Sequence, residues 1–362
     1  VARLNFSHGT HEEQQHRIDL IKSIREKLKL PVAIMLDTKG PEYRIKTFRN
    51  GPIFLNEGDR FTFTTRDVPG TESIVSVSYA GLMGNLQPPA DYSADTVQAL
   101  LADCSGVAAD PDAPEYDVVV ILSESFFDVR TLKGVEFSEN PLATFDALSQ
   151  REDVYTGAMY STASGGGTVR PEFDILTGLT TDYLQDVASP YELVDDSVEG
   201  YVSNYHDAGY RTVAVHPYDK TFYRRSEAYP YLGFDEFYGE RDLAQWMDLE
   251  YNPGGHVTDA STLKAIKIVL DGAEEPTFLF AITMENHQPY EALSPEDIRI
   301  QVDAPMLDDT TRDAVTTYTQ GVADADRMLG ELVEYLDGRE RPTVLLFYGD
   351  HIPTLGANRA AY

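Results

Sequence analysis

The sequence predicts an α/β protein. Its larger part reads as an open, mostly parallel sheet with helices on both faces, and a partial β/α-barrel plus β fragment precedes it. Three observations carry this reading. Compact apolar runs of strand length alternate with helical patterns along the second part of the chain. Polar, chemistry-bearing residues follow those runs, and open α/β sheets gather ligands at the carboxyl ends of their strands. The charge also steps abruptly: residues 1–82 hold 12 Lys/Arg against 10 Asp/Glu, whereas residues 83–362 hold 17 against 50.

The first segment, residues 1–82, runs strand, helix, strand. Residues Ala2–Phe6 form a short apolar run. Thr10, with Glu13 three residues on, predicts a capped helix start, and Ile18, Ile21, Ile24 and Leu28 recur at helical spacing. Pro31 ends that helix, and Val32–Leu36 reads as a strand leading into Asp37-Thr38-Lys39-Gly40-Pro41-Glu42. Short strands are expected over Ile45–Val77, around the Asn50-Gly51 and Glu57-Gly58 turns. Residues 83–116 read as connector and linker, richest in Pro, Asp and small residues over Ser105–Glu115.

The second segment, residues 117–362, supplies the sheet. Strands are predicted at Val118–Ser123, Val154–Met159, Arg211–Val215, Thr277–Ile282 and Thr343–Tyr348. A long helix is predicted from about Arg312 to Leu336, with Val315, Val322, Leu329, Leu332, Val333 and Leu336 on its apolar face and Gly338 as its cap.

Composition excludes several classes. The 42% hydrophobic and 25% charged residues are those of a globular chain. No stretch approaches the roughly 18 apolar residues that span a bilayer, and no signal peptide is visible. The single cysteine, Cys104, excludes an internal disulfide and a cysteine-rich zinc site. A net charge of −31 argues against nucleic-acid binding.

The strand exits carry the chemistry. Glu124 follows the first run; Ser164-Gly165-Gly166-Gly167-Thr168 follows the second and opens a helix. His216, Asn286-His287 and Gly349-Asp350-His351 follow the other three. Singly, each has a bland reading as a turn, a flexible loop or a structural histidine. Together they would converge on one rim. A Glu, Asp, His and hydroxyl set suits Mn²⁺, Mg²⁺ or Zn²⁺. A cation there would make Thr168 a nucleophile, and a helix N-terminus beneath it favours a bound phosphate.

The motifs carry two resemblances. RLNFSHGT and LPVAIMLDTKGPEYR resemble pyruvate kinase over about residues 1–82. That resemblance implies that Arg3 contacts substrate phosphate and that Asn5, Ser7, Asp37 and Thr38 bind K⁺, with Mg²⁺ as second cofactor. The residues that position phosphoenolpyruvate have no counterpart, and two strands cannot close an eight-stranded barrel. No pyruvate kinase activity is therefore expected.

VILSESFFD, GGGTVRPEFDILTGL, VHPYDKTFYRRSEAYPYLGF, TMENHQPY and FYGDHIPTLG, in that order, resemble the lipoteichoic acid synthase group of the alkaline phosphatase and sulfatase superfamily. The resemblance implies that Glu124, Thr168, Asp350 and His351 ligate one Mn²⁺, with Thr168 also the nucleophile. Arg225 and His287 would hold a phosphoglycerol group, with Tyr223 and His216 beside them. It further implies a phospholipid donor, a cell-envelope polymer or glycolipid acceptor, and action on the outer face of a membrane. On the same comparison the domain is C-terminally truncated. Phosphodiester or sulfate ester hydrolysis and a non-catalytic metal-binding module are the competing readings.

Overall fold

The computed structural model describes residues 115–184, 187 and 189–356, and before them only residues 2–5, 18, 20–22, 27, 34–37, 47–49, 53, 61–64 and 68–76. The chain divides into two compact units, Val1–Ala108 and Ala109–Tyr362.

In the first unit β1 (Ala2–Asn5) pairs in parallel with β2 (Ile34–Asp37), as a strand–helix–strand crossover requires. Described positions between them, including Ile18 and Ile21, are helical. A second parallel pair joins β3 (Thr62–Thr64) and β4 (Ile74–Ser76). The expected cap at Thr10 and Glu13 and the linker before Glu115 lie outside the described residues. So do Ser7 and Thr38 of the potassium set. Arg3, Asn5 and Asp37 are placed as strand positions only.

The second unit begins with β5 (Asp117–Ser123), buried along its whole length. After it come β6 (Glu136–Phe137), α1 (Ala143–Leu148), α2 (Val169–Thr177), α3 (Tyr201–Asp207) and β7 (Arg211–His216). There follow α4 (Arg225–Leu232), β8 (Glu236–Gly239), α5 (Asp259–Asp271), β9 (Thr277–Ile282), β10 (Val302–Asp303), α6 (Asp309–Asp337) and β11 (Thr343–Gly349). The central sheet has the order β11-β5-β9-β7-β8, and every pair in it is parallel.

Helices on both faces explain the unbroken apolar runs. Val118, Val120 and Leu122 point to one core with Val169, Phe173 and Leu176 of α2 and Ala228, Tyr229 and Leu232 of α4. Val119 and Ile121 point to the other, with Leu263, Ile266 and Val269 of α5 and Met328 and Leu332 of α6. Full burial of such side chains contributes about 1.5–3 kcal/mol each. The long helix starts at Asp309, because the Asp308 side chain accepts from Thr311 N and caps it there.

Two expectations are corrected. Val154–Met159 is not a strand: it carries no ladder partner, and a cavity of about 630 Å³ lies between its start and β11. Ladder bonds need strands about 4.7–4.9 Å apart, and the segment instead leaves Tyr155 94% exposed. A short parallel edge strand absent from the reading, β8, completes the sheet beyond β7. No helix among the described residues is long and apolar enough to cross a membrane.

Candidate active site

The parallel sheet delivers its exits to one end. Glu124 leaves β5, 3% exposed, and Asp350 leaves the neighbouring β11, fully buried. Ser125, with φ of 52°, turns the chain so that its N–H donates to Asp350 Oδ1 at 2.7 Å and its hydroxyl donates to Glu124 Oε1 at 2.9 Å. The His351 N–H also donates to Asp350 Oδ1, at 2.8 Å. Gly349 is required at this junction, because a Cβ there would stand 2.0 Å from Phe126 O.

Thr168 arrives from a different element. Gly165, Gly166 and Gly167 take φ of 70°, 131° and 92°, values that side chains resist. Ser161 Oγ bonds Asp350 O, and Gly165 N donates to Ile352 O at 3.1 Å, tying this loop to the exit of β11. Thr168 then caps α2 without a hydrogen bond from its own side chain. Its Oγ1 lies 3.5 Å from Glu124 Oε2. The free N–H groups of α2 add a positive dipole end beneath it.

Glu124, Asp350 and His351 place one ligand atom each within 4.8 Å of one another. The hydrogen bonding fits a cation among them. Ile352 O can only accept, so His351 Nδ1, 3.2 Å away, carries the proton. The lone pair of His351 Nε2 then faces Asp350 Oδ2 at 3.2 Å and Glu124 Oε1 at 3.8 Å. Asp350 Oδ2 is buried and accepts no hydrogen bond. Three electron-rich atoms thus face one another across a buried space. Burial, with the Asp350 charge second, raises the Glu124 carboxyl well above its ordinary range. Two carboxylates and an imidazole nitrogen in this arrangement fit a divalent cation.

Beside it lies a cavity of about 190 Å³ lined by Glu124, Thr168, His216, Tyr223, Arg225, His287 and His351. Arg225, 1% exposed, is locked from behind by Glu172 of α2. Its Nε lies 3.1 Å from both Glu172 oxygens, and Nη2 donates to Oε2 at 2.7 Å. Tyr191 and Tyr229 donate to the same carboxylate at 2.8 and 2.7 Å. Burial first, and the Glu172 charge second, push both phenols up, so they remain donors. Burial works against the Arg225 charge, but Glu172 outweighs it and the guanidinium stays ionised. Its Nη1 has no hydrogen-bond partner among the described residues. It is the one guanidinium nitrogen left for a ligand, and the Tyr223 ring lies 5.2 Å away.

His216 is buried at the exit of β7. Desolvation, then the Arg225 charge, lower its pKa well below 6.5, so it is neutral at neutral pH. His287 Nδ1 lies 2.6 Å from Gln288 O, which assigns the proton to Nδ1 and the lone pair to Nε2. Every residue expected in the second segment's site therefore meets around one cavity or the carboxylate–histidine cluster beside it.

The chain is similar to several known proteins. A family model described as Sulfatase matches residues 116–362. The chain belongs to the sulfatase family. The phosphoglycerol transferase GacH of Streptococcus pyogenes, solved with sn-glycerol-1-phosphate, superposes with a TM-score of 0.62 at 26% identity, covering 75% of this chain and 72% of that one. The lipoteichoic acid synthase LtaP of Listeria monocytogenes shares the fold, with a TM-score of 0.54 at 23% identity over 70% and 62% of the chains. A provisionally named cyclic beta-1,2-glucan modification protein of Rhizobium meliloti is 31% identical over 276 residues, 75% of this chain and 41% of that protein. The chain thus spans about two-fifths of the length of the curated relatives that its sulfatase part matches.

The first segment has its own likeness. A pyruvate kinase barrel model matches residues 1–99, and Staphylococcus aureus pyruvate kinase is 46% identical over 87 residues, 24% of this chain and 15% of that enzyme.

Within the sulfatase-family domain, sequence reasoning missed Glu172, Tyr191, Tyr229 and Ser125. Glu172 was visible as an acid four residues after Thr168 on a helix, but its partner Arg225 lies 53 positions away. Tyr191 carried no signal.

Proposed function

We propose that the sulfatase-family domain transfers phosphoglycerol from a phosphatidylglycerol-like lipid to a cell-envelope acceptor through a covalent intermediate on Thr168. Glu124, Asp350 and His351, with Thr168, would hold the metal, for which Mn²⁺ is the first candidate. When bound, that cation lowers the pKa of a hydroxyl and offsets phosphoryl charge.

The remaining chemistry belongs to the chain. Thr168 Oγ, deprotonated, forms a bond to phosphorus as the bond from phosphorus to the lipid oxygen breaks. His287 Nε2, whose lone pair first takes up the proton that Thr168 releases, gives that proton to the leaving oxygen, and diacylglycerol leaves. An acceptor hydroxyl then bonds to phosphorus, the Thr168 Oγ–P bond breaks, and the hydroxyl proton returns to His287. Arg225 Nη1 neutralises charge on the phosphoryl oxygens, already aimed by Glu172 before substrate arrives. Neutral His216 and the Tyr223 ring close the cavity around the glycerol.

The observation that carries this reading is Thr168 Oγ1 beside Glu124 at a helix N-terminus, in the same cavity as the unpaired Nη1 of a buried arginine. The glycerophosphate complex of the transferase from Streptococcus pyogenes supports the transferred group. The glucan and capsular polysaccharide names of two Rhizobium meliloti relatives support a glycan acceptor, and action at the outer face of a membrane is part of the same proposal. The test is release of glycerophosphate from a phosphatidylglycerol analogue with and without Mn²⁺. Thr168→Ala abolishes the Mn²⁺-dependent release; an equal rate in that variant defeats the proposal.

A further inference from the structure

Beyond His287 lies a second cavity, of about 340 Å³, and His287 stands in the walls of both. Small-molecule sites occupy about 300–1,000 Å³, so this space is large enough for a ligand of its own. It is a built feature. The loop before α5 is closed by a bridge between Tyr251 and Val257. Within it the His256 N–H donates to Asn252 Oδ1 at 2.9 Å, and Asn252 Nδ2 donates to Glu285 O at 2.7 Å. That stitching sets the His256 ring edge-on to His287, with centroids 5.3 Å apart. On the opposite wall Gln320 of α6 accepts from Arg299 N and Ile300 N and donates to Ile300 O.

Two wall groups are left over. Asn286 is 3% exposed and its Nδ2 has no hydrogen-bond partner among the described residues; His256 Nε2 is buried and likewise unpaired among them. Buried polar atoms are almost always paired, so the pair marks a place for a polar ligand. The lining also decides its charge. Five carboxylates, of Glu285, Glu291, Glu296, Asp297 and Asp324, stand there against Arg299, whose guanidinium is held by Asp324. A second phosphate is repelled by that set, and an acyl chain would strand the carboxylates without water. Burial, with the Asp324 charge second, pushes Glu285 up to about 7, so it can both donate to and accept from a hydroxyl. Tyr290 and Pro253 offer apolar surface for C–H faces.

We propose that this cavity is the acceptor subsite, holding a neutral, hydroxyl-rich chain end with one hydroxyl reaching past His287 toward the phosphoryl group on Thr168. The inference rests on the transfer reading above and adds where the acceptor sits. In a two-step displacement the lipid alcohol leaves, and the acceptor enters, opposite Thr168, because attacking and leaving oxygens lie roughly in line. His287, exchanging a proton with both alcohols, is the natural boundary between the phosphoryl cavity and the acceptor cavity.

The experiment uses the full chain with Mn²⁺, phosphatidylglycerol as donor, and either β-1,2-linked glucotriose or glycerol as acceptor. Its readout is the ratio of transferred to hydrolysed product, which is independent of the absolute rate. His256→Ala, Asn286→Ala and Ala292→Trp each lower the ratio by about tenfold, the worth of a lost hydrogen bond to a buried group or of a blocked entrance. Ala292 is exposed on the rim, so its substitution fills the mouth without disturbing the core. A fall with glucotriose alone assigns a sugar end, and a fall with glycerol alone assigns a glycerol end. An unchanged ratio in all three variants, with donor cleavage intact, overturns the subsite and leaves the transfer reading standing. If the unsubstituted chain cleaves no donor, the transfer reading fails, and saturation-transfer NMR with glucotriose judges the subsite alone. A signal lost in Ala292→Trp upholds it as a glycan site, and no signal in the unsubstituted chain overturns it.

Discussion

Arg225 illustrates how much of an active residue lies behind it. Two of its three guanidinium nitrogens are committed to Glu172, itself 0% exposed and held by two phenols, so the third is aimed without any freedom to swing. Removing one partner of such a pair leaves a buried charge uncompensated, at about 3–5 kcal/mol. Glu172→Ala is expected to lose stability by that order in urea unfolding. Glu172→Gln keeps an acceptor for the phenols but surrenders the charge. Assayed well below its own melting temperature, it should lose about tenfold or more in kcat/KM for the donor, because a misaimed donor loses the advantage of preorganisation. Full activity in Glu172→Gln would show that Arg225 needs no anchor. The sequence exposed the residues that line the cavity, because they sit within motifs at or after strand exits. It concealed the anchor, because Glu172 on α2, Tyr191 on the 3₁₀ turn Pro190–Leu193 and Tyr229 on α4 are joined only by tertiary packing, and neither acidity nor aromaticity separates an anchor from a surface residue.

At the level of elements, the site depends on loops that fix where helices begin. The Gly165–Gly167 turn puts Thr168 at the first turn of α2, opposite Glu124. Gly166 is the sharpest test, since its φ is 131° while a Cβ there would meet nothing within 4 Å. Any effect of Gly166→Ala is then backbone strain, about 1–3 kcal/mol. The chain is expected to relieve it by shifting the loop, so turnover should fall further than thermal stability does; a variant with unimpaired turnover would show that the loop tolerates side chains. The same scale explains which elements were legible. β5, β7 and β9 are apolar because both faces are covered, β11 is apolar although Val344 and Leu346 stay exposed on one of its faces, and unbroken apolar runs are visible without a partner. Val154–Met159 has the same look but no strand beside it, and pairing is a property of two segments rather than one. β8 was hidden for the opposite reason: Glu236-Phe237-Tyr238-Gly239 is a short, half-buried edge with no apolar run to betray it.

For the molecule as a whole, the carboxylate–histidine cluster has a consequence for stability that can be read without any substrate. The chain carries a net charge of −31, and at the core of its sulfatase-family unit Glu124 and Asp350 meet, where burial and then the Asp350 charge disfavour the Glu124 carboxylate. A cation that binds only the folded state adds stability by mass action, about 2.7 kcal/mol at a hundred times its dissociation constant. In a unit of this size each kcal/mol moves the melting temperature by about 2–4 °C, so saturating Mn²⁺ should raise it by several degrees and EDTA should reverse the gain. Asp350→Asn separates this from a general effect of salt. Its Oδ1 can still accept from Ser125 and His351, while the charge opposite Glu124 is gone. Without metal the variant should melt above the unsubstituted chain, and Mn²⁺ should leave it unmoved. If the two respond equally to Mn²⁺, the cation is acting on the acidic surface, and the cluster at the ends of β5 and β11 is not where it binds.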